Sequence, residues 1–297
     1  MVKPKAISAL GNSVVLLHDP MFPLYLIRGG ERNLLVDCAI LARAGEIEEK
    51  LAGLLGDKKI DAVLLTHSHY DHVGACSLLQ QRHGFEIIAS QRTREVLEND
   101  HAISFINDLN QKFKMILGDD SRSEFTKPRR VRAVREGDVI PLANGQALEV
   151  YETPGHTRCS ISFLLKPENI LFPGDAAGVV ETNGKIKPLF LSSYTQFERS
   201  LEKLLALRAE VLALPHNNAV KGAGRVAEFL TAALAETRRL QEDIRGRLEK
   251  SADFTRIAED ILADEYFSPT IMGPREALLI NVTAMVKSVF YEFVKEP

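Results

Sequence analysis

The stretch Thr66-His67-Ser68-His69-Tyr70-Asp71-His72-Val73-Gly74 gathers three imidazoles and a carboxylate into a few consecutive residues. Side chains this crowded would repel one another or be buried unpaired unless a cation bound them together. Neutral imidazole with carboxylate is a ligand set for zinc, iron or manganese. The preceding run, Ala62-Val63-Leu64-Leu65, is short and apolar with no helical period, which predicts a buried parallel strand. Polar groups at the carboxyl end of such a strand stand where α/β proteins place their chemistry. The competing reading is a solvated histidine-rich turn, which needs no fixed strand-to-helix context.

Other candidates sit at similar places. His156 follows a Pro-Gly turn in Thr153-Pro154-Gly155-His156-Thr157, after the strand pattern Ala147 to Tyr151. Asp175 ends Pro173-Gly174-Asp175 and in its plainest reading is a turn aspartate. His216 closes the strand pattern Glu210 to Leu214, read as the last strand of the chain. Asp37 ends the strand Asn33 to Val36. It is either a capping or turn carboxylate or the partner that holds a ligand histidine.

The elements that must position these residues alternate. Val14 to Leu17, Leu24 to Ile27 and Asn33 to Val36 read as a meander of strands, and Glu46 to Leu55 shows a one-faced helical spacing. A helix from Ala75 to Arg82, a strand at Glu86 to Ala89 and a Ser90-capped helix from Arg92 to Glu98 follow. Strand alternating with helix indicates an α/β domain. A further helical pattern runs from Ala102 to Leu117, and Gly118 to Lys127 reads as an exposed polar loop. Val131 to Val134, Val139-Ile140 and the hairpin Ile161 to Phe172 restore strands, and Thr195 to Leu207 is a helix. Beyond His216 the pattern is helical, over Gly224 to Lys250, Phe254 to Leu262 and Arg275 to Phe293.

With 297 residues, 45% hydrophobic and 26% charged, the composition is that of an ordinary soluble globular protein. A net charge of −3 argues against non-specific nucleic-acid binding. No apolar run reads as long enough to span a membrane, and the amino terminus offers too little apolar sequence for a secretory signal. Cys38, Cys76 and Cys159 form no CxxC pair and imply no disulfide framework, so a cytoplasmic location is expected.

His67-x-His69-x-Asp71-His72 resembles the signature of the metallo-β-lactamase superfamily, in its glyoxalase II-like branch with two metals. The His-Tyr-Asp-His wording and Pro188-Leu189-Phe190 before a helix resemble the quinolone-signal response proteins, thioesterase-like members of that superfamily. The resemblance implies an α/β fold of the αββα sandwich type. It divides the chain into a catalytic domain over 1–220, with a helical insertion at about 99–128, and a helical extension over 221–297 that covers the site.

Carried over position by position, the resemblance implies that His67, His69 and His156 hold one divalent transition metal. Asp71, His72 and His216 would hold a second, and Asp175 would bridge the two. Asp71 and Asp175 count among the catalytic groups. His18, His83 and His101 fall outside these motifs and read as surface or capping residues. Two departures stand out: Arg158-Cys159-Ser160 replaces the usual small residue and Gly-Ser, and Asn217-Asn218 replaces a Gly-rich continuation. In the resembling proteins the segment after the bridging aspartate lines the pocket, which points to Phe190 and Tyr194. Phe105, Leu109 and Phe113 of the insertion, with Met285 and Phe290 of the tail, would form other walls. For Tyr194 and for the insertion, plain packing remains the alternative.

Such a centre would hold a water that loses its proton near neutral pH, since one zinc already lowers its pKa to about 7. Hydrolysis is the natural reaction. His72 argues against antibiotic hydrolysis as the primary role, and His69 against an oxygen reductase. A thioester or ester hydrolase fits the tail and insertion, with a small-molecule substrate and a homodimer left open. A phosphodiesterase or nuclease of the same superfamily, and a regulatory protein retaining the site, are the alternatives.

Overall fold

The structure is a computed structural model, and it describes residues 8–17, 19, 21–181, 184–216, 219–264 and 275–295. The expectations for His18 and for Asn217-Asn218 therefore lie outside the described residues. The chain forms two compact units, one of residues 1–151 and 161–172, the other of 152–160 and 173–297.

The first unit is built on a seven-stranded sheet laid out in chain order. Ser8–Ala9, Val14–Leu17, Leu24–Gly29 and Arg32–Val36 run antiparallel to their neighbours. From Arg32–Val36 onward the pairing turns parallel, through Ala62–Leu64, Glu86–Ser90 and Val131–Val134. Parallel neighbours need crossovers. The helices Ala44–Leu55, Cys76–His83 and Gln91–Glu98 lie in these connections. Their apolar faces (Ile47, Leu51, Leu79, Leu97) pack with Val63, Ile87 and Leu35 in one core. The strand Ala62–Leu64 is fully buried, as its unbroken apolar run requires. On the opposite side Tyr25 meets Phe172 edge-on at 5.6 Å, so the hairpin Ile161–Lys166 and Ile170–Phe172 lies against the sheet.

The helical pattern expected over Ala102 to Leu117 is the helix Asp100–Leu117, with Asn99 accepting from the amide of Ala102 as its cap. The segment after it corrects one expectation. Gly118 to Lys127 is not simply an exposed loop, because Phe125 is buried in the core cluster. Asn107 accepts from the Phe125 amide, and the Lys114 ammonium donates to the carbonyls of Ser121 and Ser123. One apolar residue among polar ones carries no period, so the pattern could not show it.

The second unit holds the turn 153–157, the short 3-10 helix Gly174–Ala177, and helix Tyr194–Ala206 capped by Ser193. Its long helices are Ala223–Leu248, Phe254–Ala263 and Arg275–Val289, the last continuing into a π turn over Phe290–Val294. Val211–Ala213 is not the last strand: the chain folds back at once as Ala219–Lys221, antiparallel to it. A small hairpin, Val179–Val180 with Ile186–Lys187, also escapes sequence patterning because each arm has only two residues.

The expectation that no stretch is apolar and long enough to span a membrane is corrected as well. The helical segment Arg275–Val294 meets that description, with a mean hydropathy of 1.5. Part of this apolar surface is used in packing: Leu278, Val282, Met285, Val286 and Val289 are buried.

Candidate metal centre

In the first unit, the carboxyl ends of three parallel strands bring the motif its support. Asp37 follows Arg32–Val36, and its amide donates to the Leu64 carbonyl; Leu65 donates to Ile88. Thr66 donates its amide to Asp37 Oδ1 at 2.8 Å and its hydroxyl lies 2.9 Å from Asp37 Oδ2. With its proton given to that carboxylate, the Thr66 hydroxyl accepts from His67 Nδ1–H at 3.1 Å, leaving Nε2 as the unprotonated nitrogen. Asp37 Oδ2 likewise accepts from His72 Nδ1 at 2.9 Å. This resolves the two readings of Asp37: it orients a histidine and does not cap a turn.

The short helix Tyr70–Val73 starts at His69, whose carbonyl accepts from the amides of His72 and Val73. That turn draws the imidazoles together. The His67 ring lies 4.7 Å from His69 and 4.0 Å from His72, centre to centre. His72 Nε2 stands 3.9 Å from Asp71 Oδ2. His67 and His72 are buried, while His69 and Asp71 are partly exposed.

The second unit holds a cluster of its own. His156 Nδ1 donates to the Leu189 carbonyl at 2.8 Å, which turns Nε2 toward Asp175 Oδ2 at 3.2 Å. His216 Nε2 lies 3.6 Å from the other oxygen, Asp175 Oδ1. Asp175 thus presents one oxygen to each of two buried imidazoles, more than a turn aspartate requires. Gly155 places His156. Its φ is +128°, and a Cβ there would collide with the backbone of Phe197. The Gly155 carbonyl accepts from the amides of Ser192 and Ser193, and Ser200 donates to the Pro154 carbonyl at 2.7 Å. In place of the usual Gly-Ser continuation, Thr157 pairs its hydroxyl with Ser160 at 2.7 Å.

Each cluster mixes neutral nitrogen and anionic oxygen donors at short range. The ligand atoms of His67 and His69, those of Asp71 and His72, and those of His156 and Asp175 are each within 4.8 Å of one another. This donor set fits a divalent transition metal. The thiols of Cys38 and Cys76 are pushed up from their ordinary value by burial, so they stay protonated and take no part as thiolates.

The pocket candidates are placed differently from one another. Phe190 is fully buried, with Tyr194 edge-on at 5.4 Å; Tyr194 meets Phe293 at 5.4 Å. Burial and a hydrogen bond to Glu198 push the Tyr194 phenol up to about 12. Phe105 is 59% exposed on its helix. His83 pairs with Glu48 at 2.8 Å and His101 is exposed, as surface residues would be. The pattern of side chains gave no sign of the Leu189 carbonyl, because any residue could supply it.

Residues 24–216 match the Metallo-beta-lactamase superfamily, and the chain belongs to it. Acyl-coenzyme A thioesterase MBLAC2 of Gallus gallus is 31% identical over 193 residues, covering 62% of this chain and 66% of that protein. Hydroxyacylglutathione hydrolase GloC of Haemophilus influenzae is 30% identical over 151 residues, covering 50% of this chain and 64% of that one. The chain therefore spans just under two thirds of the length of these two relatives. In structure it is similar to the metallo-beta-lactamase family protein TTHA1429 of Thermus thermophilus. The TM-score is 0.71 at 21% identity, covering 96% of this chain and 95% of that one. The α/β metallo-β-lactamase fold with a carboxyl-terminal helical extension is thereby established for this chain.

Proposed function

We propose that this chain is a metal-dependent hydrolase of thioesters or esters, with His67, His69 and His156 around one metal, Asp71, His72 and His216 around a second, and Asp175 shared between them. The observation that carries the reading is Asp175, whose two oxygens face His156 and His216 separately. Two divalent cations, zinc or iron with manganese as a third choice, would supply a deprotonated water and Lewis acidity toward a carbonyl oxygen.

The chain's own residues set the conditions for that chemistry. Asp37 and Thr66 hold His72 and His67 with Nδ1 engaged, so each presents Nε2 in a fixed direction. The Leu189 carbonyl does the same for His156. Asp71, on the partly exposed side of its turn, is the carboxylate best placed to take and release a proton as substrate enters. Names of relatives support the substrate class: one is a thioesterase of acyl-coenzyme A and one a hydrolase of hydroxyacylglutathione, itself a thioester. We assign Tyr194 and Phe105 to the acyl group, with the fully buried Phe190 supporting the Tyr194 ring. A cytoplasmic location accords with three buried cysteine thiols.

The test is turnover by the metal-loaded protein on a series of acyl-coenzyme A and other thioesters, beside bis(p-nitrophenyl) phosphate. Thioester cleavage well above phosphodiester cleavage is expected. Preference for the phosphodiester would move the protein to the nuclease side of the superfamily, and no turnover on either would favour a regulatory role.

A further inference from the structure

The segment from Asp37 to Leu41 carries the carboxylate that orients His72, yet its backbone is held in an unfavourable shape. Asp37 and Ala39 both have left-handed conformations, with φ of 58° and 49°, uncommon for non-glycine residues and costly for Ala39, which has no polar side chain to compensate. Beyond the hydrogen bonds of Asp37 to Leu64, Thr66 and His72, two more contacts pin this segment. On one side the Cys38 amide donates to the His72 carbonyl at 2.7 Å. On the other, the Leu41 amide donates to the side chain of Asn110 at 2.8 Å, from the middle of the helix Asp100–Leu117.

Asn110 is nearly inaccessible, and its orientation is fixed at both ends. Its Nδ2 donates to the Ile106 carbonyl at 3.0 Å, which leaves Oδ1 for Leu41. The fit around it is close. A Cβ on Gly74, the residue that ends the ligand turn, would come within 2.7 Å of Asn110 Oδ1 and 2.8 Å of the Ile40 Cα. One turn further on, the Phe113 ring lies 5.3 Å from the ring of Tyr70, which stands between His69 and Asp71.

From this we infer that Asn110 is a positioning residue of the metal centre: it fixes the 37–41 segment against the ligand turn, and so sets where Asp37 holds His72. The inserted helix is then a buttress of the ligand loop. The inference rests on the metal-binding reading above and deepens it. Leu41 is buried, so removing its acceptor leaves its amide without a partner. The strained residues Asp37 and Ala39 then lose a restraint, and His72 loses its fixed direction.

The experiment compares wild type, Asn110→Leu, Asn110→Asp and Leu51→Ala, each reconstituted with cobalt(II). It reads visible ligand-field absorption, cobalt affinity by chelator competition, and melting temperature. Asn110→Leu is expected to weaken one of the two cobalt sites at least tenfold and to change its absorption. Leu51→Ala, a packing change in the same core on the helix Ala44–Leu55, is expected to lower the melting temperature while leaving affinity within threefold of wild type. Asn110→Asp keeps an oxygen for Leu41 and is expected to retain the wild-type spectrum, which keeps the inference open to test if Asn110→Leu does not fold. Wild-type affinity and spectrum in Asn110→Leu would overturn the positioning role, and so would a spectrum lost in Asn110→Asp or affinity losses that match in Asn110→Leu and Leu51→Ala. A wild-type protein that binds no cobalt would instead overturn the metal reading beneath it.

Discussion

Asp37 Oδ2 accepts a hydrogen bond from His72 Nδ1 at 2.9 Å, with both side chains buried. The residues are far apart in sequence, but Asp37 directly follows one parallel strand and His72 lies on the short helix Tyr70–Val73 that follows its neighbour, the two strands pairing Val36 to Leu64. An acceptor at Nδ1 forces the proton there and leaves Nε2 for coordination.

Asp37→Asn reverses that arrangement at nearly constant volume. The amide oxygen can still accept from the Thr66 amide, but its NH2 then faces Nδ1 and moves the imidazole proton to Nε2. Affinity for one metal is expected to fall about 10–100-fold. Chelator competition measures it, and an unchanged affinity would show that Asp37 does not set the tautomer.

Gly155→Ala tests how His156 is placed. A Cβ would be driven into the Phe197 backbone from a φ that alanine rarely adopts. The expected loss of stability is about 2–5 kcal/mol, the sum of strain and overpacking. A denaturant midpoint equal to wild type would mean that the turn has room the structure does not show.

Tyr194 gives a pH signature. Its phenol is raised from 10.0 to about 12, first by burial and then by Glu198, so the folded protein favours the neutral form. The stabilisation is full below pH 10 and is lost as pH rises through about 12. Tyr194→Phe removes a titrating group, so its stability should fall less than that of wild type across this window. Identical slopes would contradict it. If Tyr194 also lines the acyl pocket, Tyr194→Ala should shift preference among acyl chain lengths at unchanged metal content. An unchanged preference with a lower melting temperature would leave it as packing.

Local signals in the sequence announce the histidine motif, because a strand of unbroken apolar residues and a dense donor motif are contiguous. The parallel layout of Arg32–Val36, Ala62–Leu64 and Glu86–Ser90 follows from the same alternation of strand and helix. What stayed hidden are partners fixed by tertiary contact. Asn110 reaches Leu41 across 69 positions, and a mid-helix asparagine looks like any polar surface residue until its burial is seen. The Leu189 carbonyl has no side-chain signature at all. The hairpin arms Val179–Val180 and Ile186–Lys187 are too short for a period, and they form by pairing with each other.

The most direct test of the central claim is the metal content of the purified, reconstituted chain, measured beside Asp175→Asn. A shared aspartate gives negative charge to both cations, which an amide cannot replace. The account predicts about two equivalents of transition metal per wild-type chain, and loss of the second in Asp175→Asn with the fold retained. A wild-type content that never exceeds one equivalent, or an Asp175→Asn chain that keeps both, would contradict it.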